Sequence, residues 1–343
     1  MTESLNLTPF LDRWFMTADQ DGEPWLTAVL SATFDFPRAA GEAPTPSPNP
    51  WPILEHEQYT GEPGWSSLYR DGQALPGRPG TDIALYGVAR TPGAQPLAFL
   101  DTRLLVGSVA QRVRVFGKRT WVNGFWGFRP SEPEPFCDQP LDYSHAFGGI
   151  CAAGENGNAP FDARNPIGMG FYSGKGHAIN QPLPLLEDPD QPITSIQDRP
   201  QPAGYGLIAR SWQPRVAYAG TYDARWQRER APLWPKDFDT RFLHAAHPNL
   251  CSPHPLRGDE SVYLEGFSHE GPSQFDLPGC VPRCSVNFGE KRESQNMALD
   301  GLIFDTETRQ FQMVWRASFS LRERAYQMQR IQYRLREPWE TAA

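Results

Sequence analysis

Proline and glycine set the first limit on this chain. Of its 343 residues 35 are Pro and 30 are Gly, and each proline fixes φ and removes a backbone donor, so neither long helices nor long central strands can run uninterrupted. Short strands joined by turns and irregular segments are the expected outcome. Disordered chains share this bias but lack the residues that fill a core. Here 12% of residues are aromatic, including 11 Trp, and each buried ring removes on the order of 150–250 Å² from water. The chain therefore has the means to fold. Its length allows one large β-rich domain or two smaller ones; a single domain over residues 1–343, with a core at about 8–319, is the expectation.

Residues 25–34 form a β-branched and aromatic run between Gly22 and Pro37 and are predicted to be a strand. Residues 37–52 consist mostly of Pro, Ala, Gly, Ser and Thr, the composition of an exposed loop. The runs 81–89, 99–107 and 111–117 read as consecutive antiparallel strands. In the last, Val113 and Val115 alternate with Arg112 and Arg114, the period-2 pattern of a sheet with one solvated face. From 130 to about 202 neither period is sustained, which predicts an ordered loop layer, reaching to about 260, between two groups of strands. Strands resume at 261–267, and 299–305 with 310–319 reads as a hairpin that puts Phe311, Met313, Trp315 and Ala317 on one face. The tail 320–335 fits a last strand or a short helix. The expected class is mainly β: an antiparallel β-sandwich-like scaffold with long ordered Pro- and Gly-rich loops and little helix.

A formal charge of −8 opposes binding to nucleic acid, where Lys and Arg supply the affinity, and favours protein partners. No run of eighteen apolar residues and no basic-then-apolar leader is present, so no membrane association and a cytoplasmic location are expected. Five cysteines, Cys137, Cys151, Cys251, Cys280 and Cys284, make no even framework and are expected as free thiols.

Three constellations bear on chemistry. His244, His247, Cys251 and His254 fall within eleven positions and carry zinc-ligand atoms, although their spacing is not the paired-knuckle pattern of zinc modules. Against that stands a bland reading as loop histidines beside a buried thiol. Asp237 with Asp239, and Asp259 with Glu260, offer the carboxylate pairs of a carbohydrate hydrolase, or else simply cap turns. Tryptophans near arginines in sequence (Trp121, Trp212 with Arg215, Trp226, Trp315) suit cation–π stacking, either inside the chain or at a partner interface. Trp121, Phe125, Trp126, Phe147, Trp212, Arg215, Trp226 and Trp234 are the candidate partner-binding residues. No phosphate-binding glycine loop and no nucleophile elbow appears; no catalytic residue and no cofactor is expected.

An ordered series of short motifs resembles DUF family 2169. It runs through Thr81-Asp82-Ile83, Gly117-Lys118-Arg119-Thr120-Trp121, Asp142-Tyr143-Ser144-His145-Ala146-Phe147-Gly148-Gly149 and Asn165-Pro166-Ile167-Gly168-Met169-Gly170. It continues through Pro202-Ala203-Gly204-Tyr205-Gly206, Trp212-Gln213-Pro214-Arg215, Pro235-Lys236-Asp237-Phe238-Asp239 and Leu256-Arg257-Gly258-Asp259-Glu260. The resemblance implies a non-enzymatic adaptor or chaperone of type VI secretion, which would couple an effector, through a PAAR-type tip domain or an adjoining segment, to the VgrG spike protein. It also implies non-ligand residues at positions 247 and 251, against a metal. A carbohydrate-active hydrolase and a zinc-stabilised binding module remain as the alternatives. Many of the motif glycines are expected to serve backbone turns.

Overall fold

A computed structural model of the chain describes residues 3–39, 41–125, 127–151 and 159–336. The main strands are, in chain order, β1 (Glu3–Asn6), β2 (Leu11–Ala18), β3 (Pro24–Asp35), β4 (Asp82–Tyr86), β5 (Phe99–Val106), β6 (Val109–Phe116), β7 (Trp121–Gly124) and β8 (Gly127–Pro130). They continue with β9 (Leu186–Glu187), β10 (Ser261–Glu265), β11 (Ser273–Asp276), β12 (Pro282–Asn287), β13 (Arg292–Asn296), β14 (Ala298–Asp305), β15 (Gln310–Ser320) and β16 (Arg330–Leu335). Among the described residues three larger sheets result, with β7 and β8 paired as one of several two-stranded ones. The largest runs β2-β3-β15-β14-β4, with Thr45–Pro46 added to β3; a second runs β9-β6-β5-β10-β11; a third runs β1-β16-β12-β13.

One hydrophobic cluster joins all three. Leu30, Leu85, Phe304 and Trp315 come from the largest sheet, Leu104, Val113, Val115 and Val262 from the second, and Val286 and Ile331 from the third. Phe275 of β11 stacks on Phe311 of β15 with ring centroids 5.6 Å apart, so the core lies where the first two sheets face each other. The fold is mainly β and sandwich-like, as the punctuation by Pro and Gly requires. Helix is confined to short pieces such as Lys175–Ala178 and Ala224–Glu229.

The hairpin of β14 and β15 forms as its pattern predicts, and Phe311, Met313, Trp315 and Ala317 are buried together. Its other face is covered too. Gln312, Val314 and Arg316 lie beneath the segment that follows β3, where Arg70 donates to Gln312, Ile53 packs near Val314 and Ser318 donates to the Pro76 carbonyl. One expectation needs correcting: of the three strands between 81 and 117, only β5 and β6 are antiparallel neighbours. β4 instead pairs in parallel with β14 in the other sheet, because a short apolar run encodes burial on both faces but not its partner. The tail contains both forms considered for it, a 3-10 turn at Arg322–Gln327 and then β16, which pairs in parallel with β1.

Candidate functional site

Two irregular segments of the loop layer are threaded along the free edge of β4. The Leu85 amide donates to the Tyr205 carbonyl, Leu207 bridges to Ala246, and the Ser252 amide donates to the Thr81 carbonyl. Tyr205 also shares a 2.8 Å hydroxyl hydrogen bond with Thr102 on β5. Edge strands need cover, and here the cover ties the two sheets together and brings chemistry-bearing residues with it.

Beneath these segments lies a buried ionic hub. Arg78 donates to Asp71 at 2.8 Å, pairs with Asp82 at 2.9 Å and stands 3.7 Å from Asp300. Asp71 also meets Arg215 at 3.3 Å, and Asp300 is paired with Arg316. Three guanidinium groups thus oppose three carboxylates. The register shift between Leu299 and Gly301 leaves Asp300 as the extra residue of a β-bulge, a device that re-aims a side chain. His244 Nδ1 lies 2.5 Å from Asp82 Oδ1, and the Ala245 amide donates to Asp82 Oδ2 at 2.7 Å. Burial alone would raise the Asp82 carboxyl; Arg78, His244 and the Ala245 amide together hold it below the ordinary value.

Of the four proposed zinc ligands, the fold brings together His244 and Cys251, with Asp82 beside them and donor atoms within 4.8 Å of one another. His247 points instead into a groove, and His254 is exposed. The trio does not suit a metal ion: Asp82 is already engaged by Arg78, the Ala245 amide and His244. The Cys251 thiol donates toward Asp82 at 3.6 Å, and burial, with that carboxylate, pushes it far above the usual thiol range. A thiol held protonated is a poor nucleophile.

Outside the hub the same segments wall a groove of 590 Å³. Gln111, Gln191, Gln201, Gln213 and Asn249 supply side-chain amides to it. Asn249 Nδ2 donates to Gln111 Oε1 at 2.9 Å, which fixes that pair. Burial pushes the His247 ring down to about 4; its Nδ1 accepts from the Asn249 amide at 3.2 Å, so it is neutral near pH 7. Arg164 is occupied by Asp162 at 2.5 Å. Tyr143 forms part of the wall, its buried hydroxyl without a hydrogen-bond partner among the described residues. Gly204 explains its own place in the motif: a Cβ there would come within 2.8 Å of the Tyr143 ring. Gly149, at φ +96, does require left-handed backbone, as expected of the motif glycines. Next to the groove a smaller chamber of 170 Å³ is lined by Ile208, Pro214, Ala246, Pro248 and Cys251, with Arg215, Tyr218 and Arg241 at its side.

The structure buries Trp121, Phe147, Trp212 and Arg215, so these candidate contacts serve the scaffold. Trp121 stacks on Phe128, and Arg215 donates to the carbonyls of Ile208 and Phe242. The cation–π expectation shifts partner as well, with Arg119 over Phe116 and Arg215 near Phe242. Trp226 and Trp234 are half-buried, Trp226 against Tyr222 and Trp234 against Phe238. Phe125, at the turn between β7 and β8, is 93% exposed and is the candidate placed most openly at the surface. Trp126 lies outside the described residues.

The carboxylate pairs are caps. Asp237 accepts from the Thr221 amide and hydroxyl, Asp239 from the Arg241 amide, and Glu260 from the amides of Arg257 and Gly258. Asp259 pairs with Arg257 at the surface. Asp82 and the groove amides escaped the sequence reading. Asp82 and Gln213 stand inside motifs of the family resemblance, and Asp82 is also a charge at the head of an apolar run; Gln111, Gln191, Gln201 and Asn249 carried no such sign.

A family model described as an uncharacterized protein conserved in bacteria matches residues 21–316. No curated protein and no solved structure matches the chain. No helix among the described residues is long and apolar enough to cross a membrane.

Proposed function

The chain belongs to DUF family 2169, and from that membership and the groove we propose that it is a non-enzymatic adaptor or chaperone for a secreted effector. In this reading it works in the cytoplasm of a type VI-secreting bacterium. It holds the effector at its PAAR-type tip domain or an adjoining segment and promotes loading onto the VgrG spike. The observation that supports a holding role is the character of the groove: side-chain amides, prolines and a neutral histidine line it, beside Asp188, which accepts from Gln191, and an Arg164 already paired with Asp162. The amides and the histidine form reversible hydrogen bonds, and the prolines lose little conformational entropy on docking. A protonated thiol and capped carboxylates leave the nominated reactive groups without a nucleophile or a matched acid and base.

Co-expression with the PAAR-containing or toxin protein encoded beside it, followed by size-exclusion chromatography with light scattering, tests the reading. Co-elution at defined stoichiometry is expected. Failure to co-elute with every neighbouring effector and spike protein would refute it.

A further inference from the structure

The groove and the smaller chamber share Ile208, Pro214 and Pro248 in their linings, so they adjoin with these residues between the two compartments. Their chemistry differs. In the larger compartment the Gln201 and Gln213 side chains make no hydrogen bond among the described residues, and Asn249 keeps its carbonyl oxygen free after donating to Gln111. A carboxamide presents a donor and an acceptor side by side, the complement of one peptide unit of an extended chain, whose N–H and C=O groups lie along its edges. The Tyr143 hydroxyl, buried in the same wall and unpartnered among the described residues, is a further unspent donor. Among the described residues no tryptophan lines either compartment, so none supplies the indole platform that a sugar ring stacks on.

The smaller compartment is lined by Ile208, Pro214, Ala246 and Pro248, with Cys251, Tyr218, His244, Arg215 and Arg241 around them, and its accessible surface is mostly apolar. An apolar cavity of about 150 Å³ admits a benzene-sized group, and this one measures 170 Å³, room for one phenyl or leucyl side chain. Resting on the adaptor reading, we infer that the groove takes an extended polypeptide segment of the partner. Its backbone is held by the carboxamides of the groove, and a single Phe or Leu is seated in the adjoining chamber, past Ile208.

The test uses the full chain and a phage-displayed library of random dodecapeptides, with enriched peptides then measured by fluorescence polarisation. The expected winners share one Phe or Leu, and changing it to Ala weakens binding at least tenfold, equivalent to about 1.4 kcal/mol. Ala246→Leu, which fills the chamber, is expected to weaken the same peptides at least fivefold. Gln201→Ala with Gln213→Ala, at more accessible positions, is expected to do likewise with an unchanged melting temperature. The inference is overturned if no peptide is enriched, if binding ignores the carboxamide variant, or if maltohexaose or cellohexaose displaces the peptides. Peptide binding without effector co-elution would keep the groove and reject the secretion role; co-elution without peptide binding would do the reverse.

Discussion

Replacing Arg78 with methionine keeps most of the side-chain volume and removes the cation at the centre of the hub. The Arg78 side chain is 3% exposed, and Asp71, Asp82 and Asp300 are 3%, 6% and 2% exposed, so water and salt screen these charges little. Removing one partner of a buried ion pair costs roughly 3–5 kcal/mol, because the remaining charge stays desolvated. Three such losses do not add here. Asp71 retains Arg215, Asp300 retains Arg316, and Asp82 retains His244 and the Ala245 amide, which places the expected cost near the lower end, about 3 kcal/mol. With a urea m-value of about 3 kcal/mol/M or more for a chain of this size, the unfolding midpoint should fall by up to about 1 M. The same variant fixes a sign in acid. Asp82 has a depressed folded-state pKa, so its contribution is present above the unfolded carboxylate value of about 3.9 and is lost as pH falls through the folded value. Without Arg78 the folded value rises, and acid unfolding should begin at higher pH. Urea titrations at pH 7 and an acid titration, both followed by tryptophan fluorescence, measure the two effects. A midpoint shift under about 0.2 M, the size of an ordinary surface substitution, would refute the claim that the hub is an energetic centre.

Two further predictions follow from the groups around the groove. The His247 folded-state pKa, about 4, lies below the ordinary 6.5, so the neutral ring contributes stability that is present above pH 6.5 and drains away as pH falls toward 4; His247→Gln should flatten the melting temperature over that window, and an unchanged slope would contradict the assignment. In native protein at pH 8, iodoacetamide should modify Cys137 well before Cys251, Cys284 or the buried Cys151, because burial raises Cys251 strongly and Cys284 to about 12; mass spectrometry showing Cys251 labelled first would reopen a reactive-thiol function.

What could be read from the sequence divides along a physical line. Period and punctuation are local, so the strands near 25–34, 99–117 and 299–319 were legible. Partner choice is not local. β4 looked like the first strand of a meander and is a parallel edge strand against β14, while the covered second face of β15 depends on a loop some 250 positions earlier. The aromatic candidates misled for a related reason: tryptophan is favoured at interfaces and in cores by the same apolar area, and only the fold shows that Trp121 and Trp212 are interior.

The motifs that carry the family resemblance gain a common cause from this geometry. Thr81 donates to the Leu299 carbonyl and accepts from the Leu256 amide, while Asp82 anchors the turn at Ala245. Arg215 spans the Ile208 and Phe242 carbonyls and Asp71. Asn165 donates to the carbonyls of Tyr143 and Phe147, and Gly204 makes room for the Tyr143 ring. Each fixes one irregular segment of the layer that walls the groove, where repeating backbone ladders are not available to do so. A chain with this much proline and glycine cannot hold such a surface by secondary structure, so side-chain bonds to specific carbonyls and amides take over that task. The groove's shape thus depends on the hub, and an Arg78→Met chain that still folds should bind the selected peptides more weakly than the wild type, although residue 78 lines neither compartment.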